Sequence, residues 1–551
     1  MHNDSPRPRL RRSLVEEIAD LDQELLDLLA RRSRLVAKTR RPKKEGSGTD
    51  EVNNEKKIRL AWERTTTRFS GDQRMLRQLF SLLQELDLTY KKEEETRTDF
   101  NLAPQQKPVA VNIAGPGCSR QARIWTALCA AAGAAARISN VVVNDRVIDL
   151  VKALNQSGAR LSWEADTVIS KEGPGLDFAD KVIFAGDDTF NAYLLAFMAL
   201  PHTGMVKFTG GHQLKLADLT PMRHFLPSLG ARVAHMVPKS NGLPLRLESA
   251  GMLPDSITVP AELPEEGLTA LLLAAPSWGI NVRINLGASP HAQAVLQEVL
   301  PALKACGADI QHTGDELSVL PGLPSVPENL RLDIDPLLAA YILALPAFAQ
   351  GRVQLQGRWN SAVPGTADAT ALLRAAGLSA QQQESGVSCA PAGQCDLQQM
   401  AAHNGLAGVP QALRPLALAV AAHCAATGGS CTLPGLDNAL QNDIVFREGA
   451  DGFITRLGLD VQEDTLVRPD GKPQMPAPWT CPDAWWAMAY ALAAFKRPYS
   501  AGLRLTNPGV VTDLMPSFWL LYNGLPDPDM KRKLKEPTDG DKPARRRIIT
   551  G

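Results

Sequence analysis

The sequence predicts two unlike parts: an all-α segment of three helices over residues 8–92, and an α/β domain of six repeats over residues 108–525. Three observations carry this. The early part is rich in Leu, Arg, Glu and Lys, with apolar residues at helical spacing. The polar stretch 93–107, with Pro104, reads as a linker. Beyond it the composition shifts to Ala, Leu, Gly and Pro, and a β-like run, a turn residue and an apolar helix recur six times.

The helical part comes first. "LVEEIADLDQELLDLLARRSRLVAKT" places Leu14, Ile18, Leu21, Leu25, Leu28, Leu29 and Val36 on one broad face. "KKEGSGTDE" breaks that helix, a second runs from about Val52 to Thr66, and a third starts after Gly71. One long and two shorter helices bury little apolar surface alone, so the segment is expected to dimerise or pack on a partner.

The six recurring runs are "VNIAGPG", "VIFAGDD", "ITVPAELP", "LRLDIDP", "AGVPQAL" and "WTCPDAW". Their turn residues Gly117, Asp187, Pro264, Asp335, Pro410 and Asp483 are separated by 70, 77, 71, 75 and 73 residues. After each helix comes a further strand: "ARISN", "VKFTGG", "VRINLG", "VQLQG", "CTLPG" and "LRLTNPG". Six near-equal intervals with one internal order outweigh chance spacing.

Composition bounds the function. Lys+Arg and Asp+Glu both number 59 in 551 residues, so no overall field favours nucleic acid or a membrane surface. The tail 526–551 is basic and reads as solvated. No signal-peptide pattern opens the sequence and no apolar run is long enough to span a bilayer. Eight scattered cysteines without a Cys-x-x-Cys pair fit reduced thiols in a cytoplasm, and nine histidines in no cluster argue against a metal. No cofactor is expected.

The first repeat holds the clearest candidate site, "GPGCSRQAR", Gly115 to Arg123. A strand, a Gly/Pro turn and a helix N-terminus make an anion site, and Ser119 and Arg123 suit a phosphate or carboxylate. A helix N-terminus also lowers a thiol pKa, so Cys118 is a candidate nucleophile. With no His partner placed by the sequence, a small buried filler is the preferred reading of Cys118.

The sixfold order resembles the EPSP (5-enolpyruvylshikimate-3-phosphate) synthase and wider enolpyruvyl transferase family. The closing "PDAWWAMAYALAAF" and "LRLTNPGVVTDLMPSFWLLYNGL" are its best match. The resemblance implies two lobes of three βαβαββ-like repeats, the first at about 115–325, the second at 108–114 plus 326–525. It also implies a cleft where helix N-termini and cations hold shikimate 3-phosphate and phosphoenolpyruvate. Four ligand-binding positions persist: Ser119, Arg123, Thr189 and Asn438. Elsewhere the family's charged groups are replaced. Its Lys becomes Cys118, two Arg become Ala192 and Ala217 (Lys215 is near), and Ser-Ser-Gln becomes Pro264, Glu265 and Glu266. The catalytic Asp falls on Gln411. The Lys, Glu and Arg of the next motif become Asn442, Asp443 and Phe446, with Arg447 one step off register. His and Arg of the sixth repeat become Ala484 and Trp485, and the late Lys becomes Asp513. One lost acid or base costs about 10²–10⁴-fold and one lost anion donor about 10²–10³-fold.

Residues 8–92 resemble the all-helical chorismate mutase family through "IADLDQELLDLLARRSRLV" and "LFSLLQELDL". That implies an intertwined homodimer. Arg32, Lys43 and Glu55 match catalytic positions, with Arg12 a possible substitute for a first-helix Arg that falls on Val15. Plain solvated charges remain the other reading of these residues.

The expectation is thus a cytoplasmic protein of aromatic amino-acid biosynthesis that binds a small anionic pathway metabolite. Its chorismate mutase-like part converts chorismate to prephenate if active, and its EPSP synthase-like part binds a ligand or partner as a pseudoenzyme. Two alternatives stand: a working 3-phosphoshikimate 1-carboxyvinyltransferase with a rearranged site, and a non-catalytic regulatory or scaffolding protein.

Overall fold

The structure, a computed structural model, describes residues 100–102, 107–237, 240–469, 476–495 and 502–528, together with single helical positions between 18 and 83. The chain divides into two units, Met1–Asp99 and Phe100–Gly551.

In the first unit every described position before Phe100 is helical. Val36, Phe80 and Leu83 are buried, and the Trp62 and Phe80 rings pack with centroids 5.4 Å apart. The expected apolar stripe is only partly covered. Ile18, Leu21, Leu25 and Leu28 are 54–63% exposed.

The second unit is built on six central helices: α1 (Ser119–Ala132), α2 (Thr189–Ala199), α3 (Glu265–Ala274), α4 (Pro336–Leu343), α5 (Arg414–Gly428) and α6 (Ala484–Ala493). All are rich in Ala and Leu and largely buried, as helices surrounded by sheets must be. Each starts within four residues after a predicted turn residue. Asp188, Asp335 and Asp483 each accept backbone N–H bonds at an N-cap, from Asn191, from Leu337 and Leu338, and from Trp486.

Two apolar cores separate the unit into two lobes. One runs from Ala122 to Leu332, the other holds Leu102, Val109 and Val111 and resumes at Ile334 through Leu525. The first lobe carries three four-stranded sheets, and the second carries one sheet each of four, three and two strands. In the first lobe each sheet opens with a parallel pair: Asn329–Arg331 with Ala136–Ser139, Val182–Phe184 with Gly204–Thr209, and Ser256–Thr258 with Val282–Asn285. The second lobe repeats this in Val109–Ala114 beside Gly351–Gln356.

Several expectations are corrected. Asn329–Arg331 belongs to the first lobe's sheet, so the chain returns to the second lobe after Leu332 and not at residue 326. The fifth run, "AGVPQAL", forms 3₁₀ turns (Gly405–Gly408 and Gln411–Leu413) because Pro410 offers no amide to a ladder. In the sixth run only Trp479 bridges, in parallel to Leu505. The linker reading fails at Phe100–Asn101, which pairs antiparallel with Arg504–Leu505 and widens the sixth sheet, while the Phe100 ring packs on Trp519 at 4.5 Å.

The two chain crossings lie side by side. The Cys118 amide donates to the Asp333 carbonyl at 3.2 Å, and the Asp335 amide to the Pro116 carbonyl at 2.8 Å. The backbones approach so closely that a Cβ on Gly117 would stand 1.6 Å from the Asn140 carbonyl oxygen, so only glycine fits. Asp333 is buried there, held by the Arg358 guanidinium and by the Asn360 amide at 2.8 Å. Among the described residues, no helix is long and apolar enough to cross a membrane.

Candidate functional site

The helix N-termini that were to attract anions are largely occupied by the protein's own carboxylates. α2, α4 and α6 are capped by Asp188, Asp335 and Asp483, and α3 carries Glu265 and Glu266 in its first turn. α1 and α5 are the exceptions, with no acidic residue in the first turn and no side-chain cap at Cys118 or Leu413. The negative charge a ligand would bring to the other four termini is already present.

Ser119, the first residue of α1, faces Asn144, whose amide donates to the Ser119 hydroxyl at 3.2 Å. Asn144 also caps the helix Asp145–Gln156 through the Val147 amide at 3.2 Å, so Ser119 sits on a fixed polar partner. Arg123, four residues on, is buried and not open to a ligand as expected. Its Nη1 lies 2.5 Å from Asp188 Oδ1, and its guanidinium stands 4.8 Å from the Phe190 centroid. Arg146 approaches the other Asp188 oxygen at 3.6 Å. Burial pulls the Arg123 pKa below its ordinary value despite Asp188. Asp188 thus caps α2 and neutralises Arg123 at once.

Sequence reasoning missed Arg120. It reaches Glu265 at 2.7 Å, Glu298 at 2.6 Å and the Thr269 hydroxyl at 3.2 Å. Burial works against the charge of Arg120, but Glu298 and Glu265 more than reverse this and raise its pKa. Glu265 is thus tied to a cation of the first repeat. The only sequence signal was the charge pair itself, and nothing local says that Arg120 meets Glu265.

Cys118 is buried, and burial, then Asp335, pushes its thiol well above the ordinary value. The uncapped helix terminus does not make it a thiolate, and the nucleophile reading is set aside. Thr189 is exposed at the start of α2, and Ala192 is buried in the first-lobe core. Ala217 is half-buried, as is Lys215.

In the second lobe the candidate positions are self-satisfied or absorbed into packing. The Asn442 amide donates to Asn438 Oδ1 at 2.6 Å, so Asn438 is engaged within its own helix, Leu436–Asn442. Arg414 donates to Asp443 at 2.7 Å, and Asp443 caps the helix Ile444–Leu457 through the Phe446 amide at 3.0 Å. Phe446 is buried against Trp486 with centroids 5.5 Å apart, and Arg447 is exposed. Ala484 is buried, and Trp485 packs on Tyr341 at 5.5 Å. Gln411 is exposed at the head of its 3₁₀ turn.

Asp513 brings the lobes into electrical contact. Burial, then Asp145, raises its pKa; Arg146 lowers it, and Asp187 adds to the rise. A carboxylate therefore faces the first lobe's acidic groups where the family pattern places a lysine.

In the first unit, the Arg32 Nη1 donates to the Leu83 carbonyl at 3.5 Å, and its guanidinium lies 6.0 Å from the Phe80 centroid. Arg12, Lys43 and Glu55 lie outside the described residues. Among the described residues, no group of three or more His, Cys, Asp or Glu is arranged to hold a metal.

Comparison with known proteins agrees with the lobed architecture. The sequence model of EPSP synthase (3-phosphoshikimate 1-carboxyvinyltransferase) matches residues 105–520. A curated relative, 3-phosphoshikimate 1-carboxyvinyltransferase 2 of Halalkalibacterium halodurans, is 23% identical over 430 residues, 77% of this chain and 94% of the relative. The enzyme of that name from Vibrio campbellii is 25% identical over 256 residues, and the chain spans only 60% of its length. The solved EPSP synthase of Acinetobacter baumannii superposes with a TM-score of 0.58 at 17% identity, over 77% of this chain and 97% of that one. With its two lobes of repeats and a family match from residue 105 to 520, the chain belongs to the EPSP synthase family.

Proposed function

We propose that the two-lobed domain acts as a 3-phosphoshikimate 1-carboxyvinyltransferase of rearranged and weakened site, on shikimate 3-phosphate and phosphoenolpyruvate. The observation that carries this is a family match across both lobes, with a relative of that activity covered over 94% of its length. Ser119 on Asn144, at one of the two central helix termini free of acidic residues, supports a remaining anion contact. The inert reading predicted from the substitutions alone has less support from the relatives.

A specific observation still favours a second reading, binding without turnover. Arg123, Arg120 and Arg414 are each paired with a carboxylate, and Gln411 stands where the family has its acid. Uncharged Gln has no proton to exchange near neutral pH, and a paired guanidinium gives less to a developing negative charge. On these losses turnover should fall at least about 10⁴-fold below an intact family site.

The test is phosphate release by the full-length protein with both substrates, against phosphoenolpyruvate alone. Release that needs both substrates and drops in Ser119→Ala supports the transferase. Saturable binding of shikimate 3-phosphate with no release above background supports the second reading and overturns the first.

For residues 8–92 we propose chorismate mutase-like activity in a homodimer. The resemblance of the first helix and the exposed Ile18, Leu21, Leu25 and Leu28 stripe support it. Conversion of chorismate to prephenate that falls with Arg32→Ala is the expected result. No conversion at high protein concentration would remove the proposal.

A further inference from the structure

The Arg120 guanidinium is held from two sides and open on a third. Its Nε lies 2.6 Å from Glu298 on the helix Ala292–Ala305, and its Nη2 lies 2.7 Å from Glu265 at the head of α3. The buried Thr269 hydroxyl donates to the Glu265 carbonyl at 2.8 Å, so it can only accept from Arg120 Nη2, at 3.2 Å. These contacts fix the plane of the guanidinium. Arginine carries N–H donors on all three nitrogens, yet among the described residues no hydrogen-bond acceptor meets those on Nη1. The Arg120 and Glu265 side chains are 32% and 40% exposed, whereas that of Arg123 is 8% exposed. Of these two cations on α1, Arg120 is the one a ligand can reach, and it lies just past the Cys118–Asp333 crossing between the lobes.

We propose that Arg120 and Glu265 form a hydroxyl-binding subsite that makes the cleft select an unphosphorylated polyol over its phosphate ester. The inference rests on the transferase reading of the same cleft, and makes shikimate 3-phosphate the poorer of two ligands. The pair presents a donor, Nη1, beside an acceptor, the Glu265 carboxylate oxygen that does not face Nη2. A hydroxyl group accepts from the first and donates to the second. A phosphate dianion only accepts, so one of its oxygens would face the carboxylate with no proton between them. An ammonium only donates, and it would meet the guanidinium.

The charge balance points the same way. One arginine stands among Glu265, Glu266 and Glu298, where the family's Ser-Ser-Gln has given way to Pro264, Glu265 and Glu266. The terminus of α3 would otherwise draw an anion, and its first-turn carboxylates already oppose that. A subsite with excess negative charge penalises a dianion far more than a neutral hydroxyl, which is selection by repulsion as much as by fit.

The experiment is titration calorimetry of the full-length protein with shikimate and with shikimate 3-phosphate, which differ only in the phosphate. The wild-type protein is expected to bind shikimate at least about tenfold tighter. Glu265→Ser and the isosteric Glu265→Gln remove the charge, and each should bring shikimate 3-phosphate to equal or tighter binding. Arg120→Lys keeps the charge but loses the Nη1 edge, and should weaken shikimate about tenfold. A wild-type protein that prefers shikimate 3-phosphate, or that binds neither ligand, would overturn the proposal. So would a preference that both Glu265 variants leave unchanged. The wild-type ratio decides the question even if a variant folds poorly. Phosphate release from phosphoenolpyruvate with each ligand keeps this proposal distinct from the transferase reading. The expected preference without release retains the subsite and removes the transferase; release with the opposite preference retains the transferase and removes the subsite.

Discussion

In the first lobe the cations that remain on α1 are held by the protein itself: Arg123 on Asp188, Arg120 on Glu265 and Glu298. In the second lobe apolar side chains have taken much of the space. Phe446 packs on Trp486 and Trp485 on Tyr341, each with tilted rings, and Ala484 is buried. The two lobes thus weaken an anion site by different physical routes. Neutralisation leaves a cation that one substitution can release. Absorption into packing leaves nothing to release, because the aromatic now contributes to the core.

The largest expected effect follows from the second lobe. Restoring the family's arginine by Phe446→Arg removes a buried ring and drives a charge into the space beside Trp486. The cost should exceed about 4 kcal/mol in urea unfolding, with no gain in ligand binding. A neutral outcome would mean that the site in this lobe is open and not absorbed. Next comes Arg123→Ala, which breaks a buried pair and strands Asp188; about 3–5 kcal/mol should be lost, read by the same denaturation.

A smaller effect tests the acidic face between the lobes. Asp513 is held above the ordinary carboxyl range by burial and by Asp145, and Asp149 by burial with Asp145, Asp187 and Asp188 against Lys152. A carboxyl whose folded pKa is raised binds its proton more tightly in the folded chain. Its contribution is therefore complete below about pH 4 and is lost as pH rises through the raised folded value. Asp513→Asn should raise Tm at pH 7 and leave it nearly unchanged at pH 3.5. Equal shifts at both pH values would contradict the electrostatic account.

The repeats were legible because each central helix announces its start: Asp335 and Asp483 are themselves N-caps, and Asp187 immediately precedes one. The strand at Phe100–Asn101 was not, since two residues in a polar stretch carry no period. The substituted positions were also legible, and Phe446, Ala484 and Ala192 are buried as apolar residues should be. What the chain order hid was the use of the charges that remain. Ser119 and Arg123 share the first turns of α1, yet one faces a neutral amide and the other a carboxylate from the next repeat. That difference depends on how α1 and α2 pack, and no local pattern encodes it.

The most direct measurement of this account is the affinity of shikimate 3-phosphate for the wild-type protein and for Asp188→Asn, by titration calorimetry. Asparagine keeps the N-cap of α2 and removes the charge that holds Arg123. The account predicts binding at least roughly tenfold tighter in the variant, about 1.4 kcal/mol. Equal or weaker binding by a folded Asp188→Asn protein would contradict it, and would show that the Arg123–Asp188 pair is not what weakens the site.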